Sequence, residues 1–174
     1  MGSERYIIWL IPEDTTTILD ENGFRHLEGY SKILLSEVEN AINNNKFPVK
    51  KIVGENGYYL IDNLFEVFIS KKENKFQALY ICGSMSWFED GLEELYSIID
   101  HMKKTFRFKI ETQGQLIQFN DFQTFKDQIL ILNQGKYQNH KRIYKNFKAR
   151  ISPSEYYRYY NKNIRTFWDK IFNK

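Results

Sequence analysis

Cysteine is almost missing from this chain, with a single thiol, Cys82, in 174 residues. One cysteine cannot close an internal disulfide, and this one stands in an apolar run with no histidine near it in sequence, so a small core residue is expected rather than a catalytic thiol. Histidine is nearly as scarce. His26, His101 and His140 stand far apart, none with a second ligand at metal-binding spacing, so no metal site is expected. With nine glycines and three prolines, the chain carries no P-loop, no Gly-x-Gly-x-x-Gly fingerprint and no nucleophile elbow, and no cofactor or catalytic group is expected from motifs. No internal repeat or low-complexity tract is present. No apolar run approaches the roughly 20 residues that span a bilayer. The N-terminus lacks the basic segment, apolar core and cleavage site of a leader. A soluble, cytoplasmic protein without a membrane partner is the expectation.

Aromatic and apolar residues are plentiful. At 42% hydrophobic and 17% aromatic, the chain can bury one sizeable core with a small appendage. Asn, Lys, Ile, Tyr and Phe are all abundant, the mark of an AT-rich coding sequence, so counts of Lys or Tyr alone carry little weight. The distribution of charge carries more. Residues 1–135 hold 14 Lys/Arg against 20 Asp/Glu, whereas residues 136–174 hold 11 against 2, which together give the net +3. Segregated charge creates fields that steer partners. The division suggests an α+β core over 1–135 and a basic, aromatic-rich helical pair over 136–174, packed on the core or extending from it.

The stretch from Lys75 to Phe119 has the clearest local grammar. Lys75–Cys82 reads as a buried strand ending at Gly83. Ser86 and Glu89 have the spacing of a helix N-cap and capping box. Phe88, Leu92, Leu95, Ile99 and Met102 then draw one apolar stripe. Phe106, Phe108 and Ile110 alternate with charged residues as a strand does, and Gln113-Gly114 suits a two-residue turn into a strand over Gln115–Phe119.

Upstream, Tyr6–Ile11 is a central strand stopped by Pro12. Phe24, Leu27, Leu34, Val38 and Ala41 fall near helical spacing, with a main helix predicted from about Tyr30 to Asn44. Short β-like pieces flank Gly54 and Gly57, and Leu64–Ser70 should pair with the strand from Lys75. Downstream, Asn120 or Asp121 can cap a helix carrying Phe122, Phe125, Ile129 and Leu132, with Gly135 placed to end it. A further helix is predicted from Lys136 to Ile151. Ser152-Pro153-Ser154-Glu155 opens a last one, striped by Tyr157, Tyr160, Ile164, Phe167 and Ile171. The order strand, helix, strand, strand, helix, strand over residues 6–112 resembles the ferredoxin-like split βαβ architecture. It is an antiparallel sheet with helices on one face, here followed by a β-hairpin extension and C-terminal helices. The resemblance carries no function.

Two surfaces are candidates for binding. Glu89, Asp90, Glu93 and Glu94 crowd one helix start beside Trp87. Complementing the helix dipole accounts for them, and so would receiving a basic protein partner, with Trp87 as an interface anchor. The second candidate is Lys141, Arg142, Lys145, Lys148, Arg150, Arg158, Lys162 and Arg165, interleaved with Tyr144, Phe147, Tyr156, Tyr159 and Trp168. Cations for phosphates and rings for bases are what single-stranded RNA or DNA binding uses. The same residues could instead dock on the acidic body of their own molecule. The preferred expectation is a non-enzymatic binding protein, of the inhibitor or immunity type, that captures and neutralises a protein partner such as a toxin or nuclease. An RNA- or DNA-binding protein is the alternative, and a nuclease using His101 or His140 is a third class.

Overall fold

The computed structural model describes residues 5–19, 21, 25–53 and 57–144. They form an α+β structure in which a seven-stranded antiparallel sheet carries three α-helices. The strands of the sheet are β1 (Arg5–Pro12), β4 (Val49–Ile52), β5 (Tyr58–Ile61), β6 (Phe65–Lys72), β7 (Lys75–Ser84), β8 (Phe108–Thr112) and β9 (Gln115–Ile117). Their order across the sheet is β4-β5-β6-β7-β1-β8-β9. A separate two-stranded ribbon pairs β2 (Thr16–Leu19) with β3 (Arg25–Glu28). The helices are α1 (Leu35–Asn43), α2 (Leu92–Thr105) and α3 (Phe122–Tyr144). Among the described residues no helix is long and apolar enough to cross a membrane.

Registers fix which side chains share a face. Tyr6, Ile8 and Leu10 of β1 stand opposite Gly83, Ile81 and Leu79 of β7, which in turn stand opposite Phe65, Val67 and Ile69 of β6. With Tyr59, Ile61, Phe108, Ile110 and Ile117 they form one wall of the core, and Val38, Leu92, Leu95, Ile99, Phe125 and Ile129 close it from the helices. The predicted stripe of α2 is buried along its whole length. The hairpins turn tightly: Glu73 and Asn74, like Gln113 and Gly114, have positive φ, the geometry whose twist matches that of the flanking strands.

Several local expectations are overturned. Phe24 and Leu27 fall at helical spacing, but Leu27 lies in β3 opposite Thr17, and Phe24 lies outside the described residues. α1 starts only at Leu35, where the Glu37 carboxylate accepts the Leu34 N–H at 3.0 Å. Ser86 does not cap α2. Ser84 accepts the Ser86 N–H at 3.2 Å and opens a 3-10 turn over Met85–Trp87, and α2 follows from Leu92. Phe106 ends α2 instead of starting β8. Gly135 does not stop α3, which runs 23 residues straight through the boundary expected between 135 and 136. Its start is capped by Asp121, whose carboxylate accepts the Thr124 N–H at 2.8 Å. Asn133, fully buried, anchors the helix midway. It donates to the Ile129 carbonyl at 3.0 Å and accepts from Gln113 Nε2 at 3.0 Å, tying α3 to the β8–β9 turn. The helix predicted from Ser152 lies outside the described residues.

Candidate functional site

The acidic cluster is assembled where the 3-10 turn passes into α2. Glu93 and Glu94 occupy the first turn of α2, and Glu89 and Asp90 the turn before it. Glu89, Asp90 and Glu93 are exposed, whereas Glu94 is half-buried, its Oε2 sealed from solvent and without a hydrogen bond among the described residues. Trp87 is half-buried and packs against the core.

α3 borders this corner. Lys141 Nζ stands 3.7 Å from Glu89 Oε2 and 4.2 Å from the centre of the Tyr137 ring, which itself contacts Phe88 at 5.2 Å. One of the basic candidates is therefore engaged by the acidic cluster of its own molecule. Beside that pair runs a trough of about 350 Å³ lined by Glu89, Leu130, Ile131, Gln134, Tyr137, Gln138 and Lys141. Ile131 is 71% exposed. The corner thus combines a carboxylate rim with an uncovered apolar strip, the mixture of anchor and polar border that protein interfaces use.

Ser86 Oγ and His140 Nε2 lie 3.2 Å apart, with His140 buried. This bond ties α3 to the 3-10 turn. His101 serves another junction, its Nε2 3.1 Å from the Ala41 carbonyl between α2 and α1. The two histidines of the nuclease reading thus belong to different neighbourhoods. Among the described residues no group of three or more His, Cys, Asp or Glu could hold a metal ion. Of the nucleic-acid candidates, Arg142 is exposed and donates to Asn139 Oδ1 at 2.8 Å. Lys145, Lys148, Arg150, Arg158, Lys162 and Arg165 lie outside the described residues.

Two further features escaped sequence reasoning. On the sheet face opposite the helices, Trp9, Tyr80, Phe68 and Tyr58 form a ladder across β1, β7, β6 and β5, with ring centres 5.0, 5.3 and 5.2 Å apart. Tyr80 and Phe68 are near parallel, at 12°. Only their alternation in sequence hinted at a shared face, because the pairing of four strands cannot be read from spacing. Cys82 lies beside the ladder, and burial, reinforced by Glu66, pushes its thiol up to about 12.

The second is a cleft of about 400 Å³ reaching from α1 to the ends of β4 and β5. In it, Glu39 Oε1 accepts the Tyr59 hydroxyl at 2.8 Å and the Lys51 ammonium at 3.1 Å. Those two bonds, Tyr59's first, hold the Glu39 carboxyl below its ordinary range. Lys51 and Tyr59 are registered partners on adjacent strands, so the cluster joins α1 to the sheet edge. Its acid and base already satisfy one another. No protein-family model, no curated protein and no solved structure matches this chain.

Proposed function

We propose that this chain acts by binding rather than catalysis, capturing a basic protein partner at the acidic corner of α2 and the adjoining trough of α3. The observation that carries the reading is the juxtaposition of exposed Glu89, Asp90 and Glu93 with a trough in which Ile131 is 71% exposed. The carboxylates steer and orient a cationic surface, and burial of Leu130, Ile131 and Tyr137 supplies affinity. Proteins that handle nucleic acid carry basic surfaces for phosphates. An acidic, apolar corner is complementary to such a surface, which supports the narrower role of neutralising a toxin or nuclease.

The test pairs two measurements. Fluorescence polarisation with labelled single-stranded RNA, single-stranded DNA and duplex DNA, at low and moderate salt, should show no salt-sensitive binding. Affinity capture should return a stoichiometric basic protein, and the Asp90→Lys/Glu93→Lys variant should lose it by roughly tenfold or more while melting as the wild type does. Tight nucleic-acid binding that falls steeply with salt overturns the reading in favour of the basic C-terminal stretch. Capture indifferent to charge reversal removes the corner as the site.

We also read the centre of the sheet as ferredoxin-like with a hairpin extension. In support, β6-β7-β1-β8 are antiparallel neighbours in the order that this architecture gives its second, third, first and fourth strands. β9 then extends β8, and β4 and β5 widen the opposite edge.

A further inference from the structure

On the rim of the α3 trough the molecule already seats a cation between two groups that attract one. Lys141 Nζ stands 4.2 Å from the centre of the Tyr137 ring and 3.7 Å from Glu89 Oε2. A ring face and a carboxylate each favour positive charge beside them. Both are mounted on the core through one residue: Phe88, 1% exposed, touches the Tyr137 ring at 5.2 Å and precedes Glu89 in the chain. Lys141 fills this place loosely. Its distance to Glu89 exceeds hydrogen-bond length, and the side chains of Lys141 and Glu89 remain 56% and 51% exposed. Exposed ion pairs of this kind contribute little and are readily exchanged. All three residues line the trough, so the ammonium stands where an incoming side chain would arrive.

We propose that Glu89 and Tyr137 form an arginine-recognition subsite, which Lys141 fills in the free protein and which an arginine of the basic partner takes over on capture. The inference rests on the reading of this corner as the capture surface and names the side chain recognised there. An ammonium is a point charge and satisfies ring and carboxylate only in part. A guanidinium is planar, stacks on an aromatic face and presents a fork of N–H donors that matches a carboxylate, so it can use both groups at once. Exchange leaves Glu89 paired throughout, because one cation replaces another. Lys141 thereby acts as a built-in competitor, holding off any cation that binds no better than an ammonium. The trough also sets a spacing. Ile131 and Lys141 lie on it ten residues apart along α3, about 15 Å by helical rise. The segment that fits carries an apolar residue for Ile131 and an arginine roughly that far away.

Nα-acetyl-arginine amide, titrated into the full chain at constant ionic strength and followed through the Tyr137 ring resonances by NMR, tests the subsite directly. Lys141→Gln removes the competitor, and affinity for the probe should rise by roughly two- to fivefold, the range that loss of an exposed ion pair implies. Arg142→Gln removes the same charge from the next position, where the exposed side chain donates to Asn139 rather than to an acid, and should leave affinity at the wild-type value. Adding Glu89→Gln to Lys141→Gln should abolish the gain. Lys141→Arg, which keeps the charge, should fill the subsite more firmly and weaken the probe. Equal gains from Lys141→Gln and Arg142→Gln would reduce Lys141 to its net charge and overturn the proposal, as would Tyr137 resonances that do not respond in Lys141→Gln. Nα-acetyl-lysine amide binding as tightly as the arginine compound overturns the choice of arginine. Should Lys141→Gln fail to fold, undiminished affinity in Lys141→Arg overturns the proposal. None of these variants alters Asp90 or Glu93. A silent subsite beside capture that is lost on reversing those two acids therefore refutes this inference alone, whereas a responsive subsite beside capture indifferent to that reversal refutes the capture reading.

Discussion

Replacing Gly83 with alanine tests how the core is closed at the end of β7. Gly83 lies inside the strand, directly opposite Tyr6 of β1, and the Tyr6 ring folds over it. A Cβ there would come within 2.3 Å of Tyr6 Cζ and 2.4 Å of its hydroxyl oxygen, more than 1 Å inside ordinary contact. The ring has nowhere easy to go, being 1% exposed and set edge-on to Phe88 at 4.9 Å. Overpacking of this kind costs about 1–3 kcal/mol, while relief of glycine's backbone entropy returns about 0.5–1 kcal/mol. A net loss of about 1–2 kcal/mol follows, and at about 2–4 °C per kcal/mol for a chain of this size the melting temperature should fall by about 2–8 °C. Urea unfolding followed by tryptophan fluorescence should show a lower midpoint at unchanged slope. The decisive comparison is the double-mutant cycle with Tyr6→Leu. Without the ring, Gly83→Ala should become neutral or mildly stabilising, giving a coupling of about 1–3 kcal/mol. A wild-type midpoint for Gly83→Ala, or an equal cost in both backgrounds, would refute the packing argument.

Gly135 is the opposite case. It sits within α3, and a Cβ there meets nothing within 4 Å, so Gly135→Ala should raise stability by about 0.5–1 kcal/mol, read as a higher urea midpoint. For Glu39, a carboxyl held below its ordinary value of 4.5 by the Tyr59 and Lys51 bonds stabilises the fold above that value, and the stabilisation disappears as pH falls through the lowered one. Tyr59→Phe should therefore lower the midpoint most near neutral pH, with the gap from wild type closing below the carboxylate range. A gap constant with pH would detach Glu39 from stability.

Periodicity foretold α2 and most of the sheet because those segments follow one rule throughout: Leu92, Leu95, Ile99 and Met102 repeat at helical spacing, and β1 and β7 are apolar over five residues or more. It failed where a short-range signal had two readings. Leu27 and Leu34 sit at helical spacing, yet Leu27 belongs to a ribbon and Leu34 is 61% exposed. Gly135 resembles a helix stop, but a glycine stops a helix only if the chain turns there, and contacts on both sides of it, Asn133 with Gln113 and His140 with Ser86, hold α3 in line. Ser86 and Glu89 have capping-box spacing, but Ser84 claims the Ser86 N–H first.

The binding surfaces were half visible for a related reason. Charge density is a property of the sequence, so the acidic run at Glu89–Glu94 could be located at once. Its partner across space could not, since the pairing of Glu89 with Lys141 joins residues 52 positions apart by way of α3's full length. That pairing bears on which charges remain for an outside partner. Lys141 is held between a carboxylate and a ring, so the first of the basic candidates serves the molecule's own packing, while Glu93 stays exposed one turn further on. Charge reversal at Asp90 and Glu93 therefore probes the carboxylates of the corner that Lys141 does not engage.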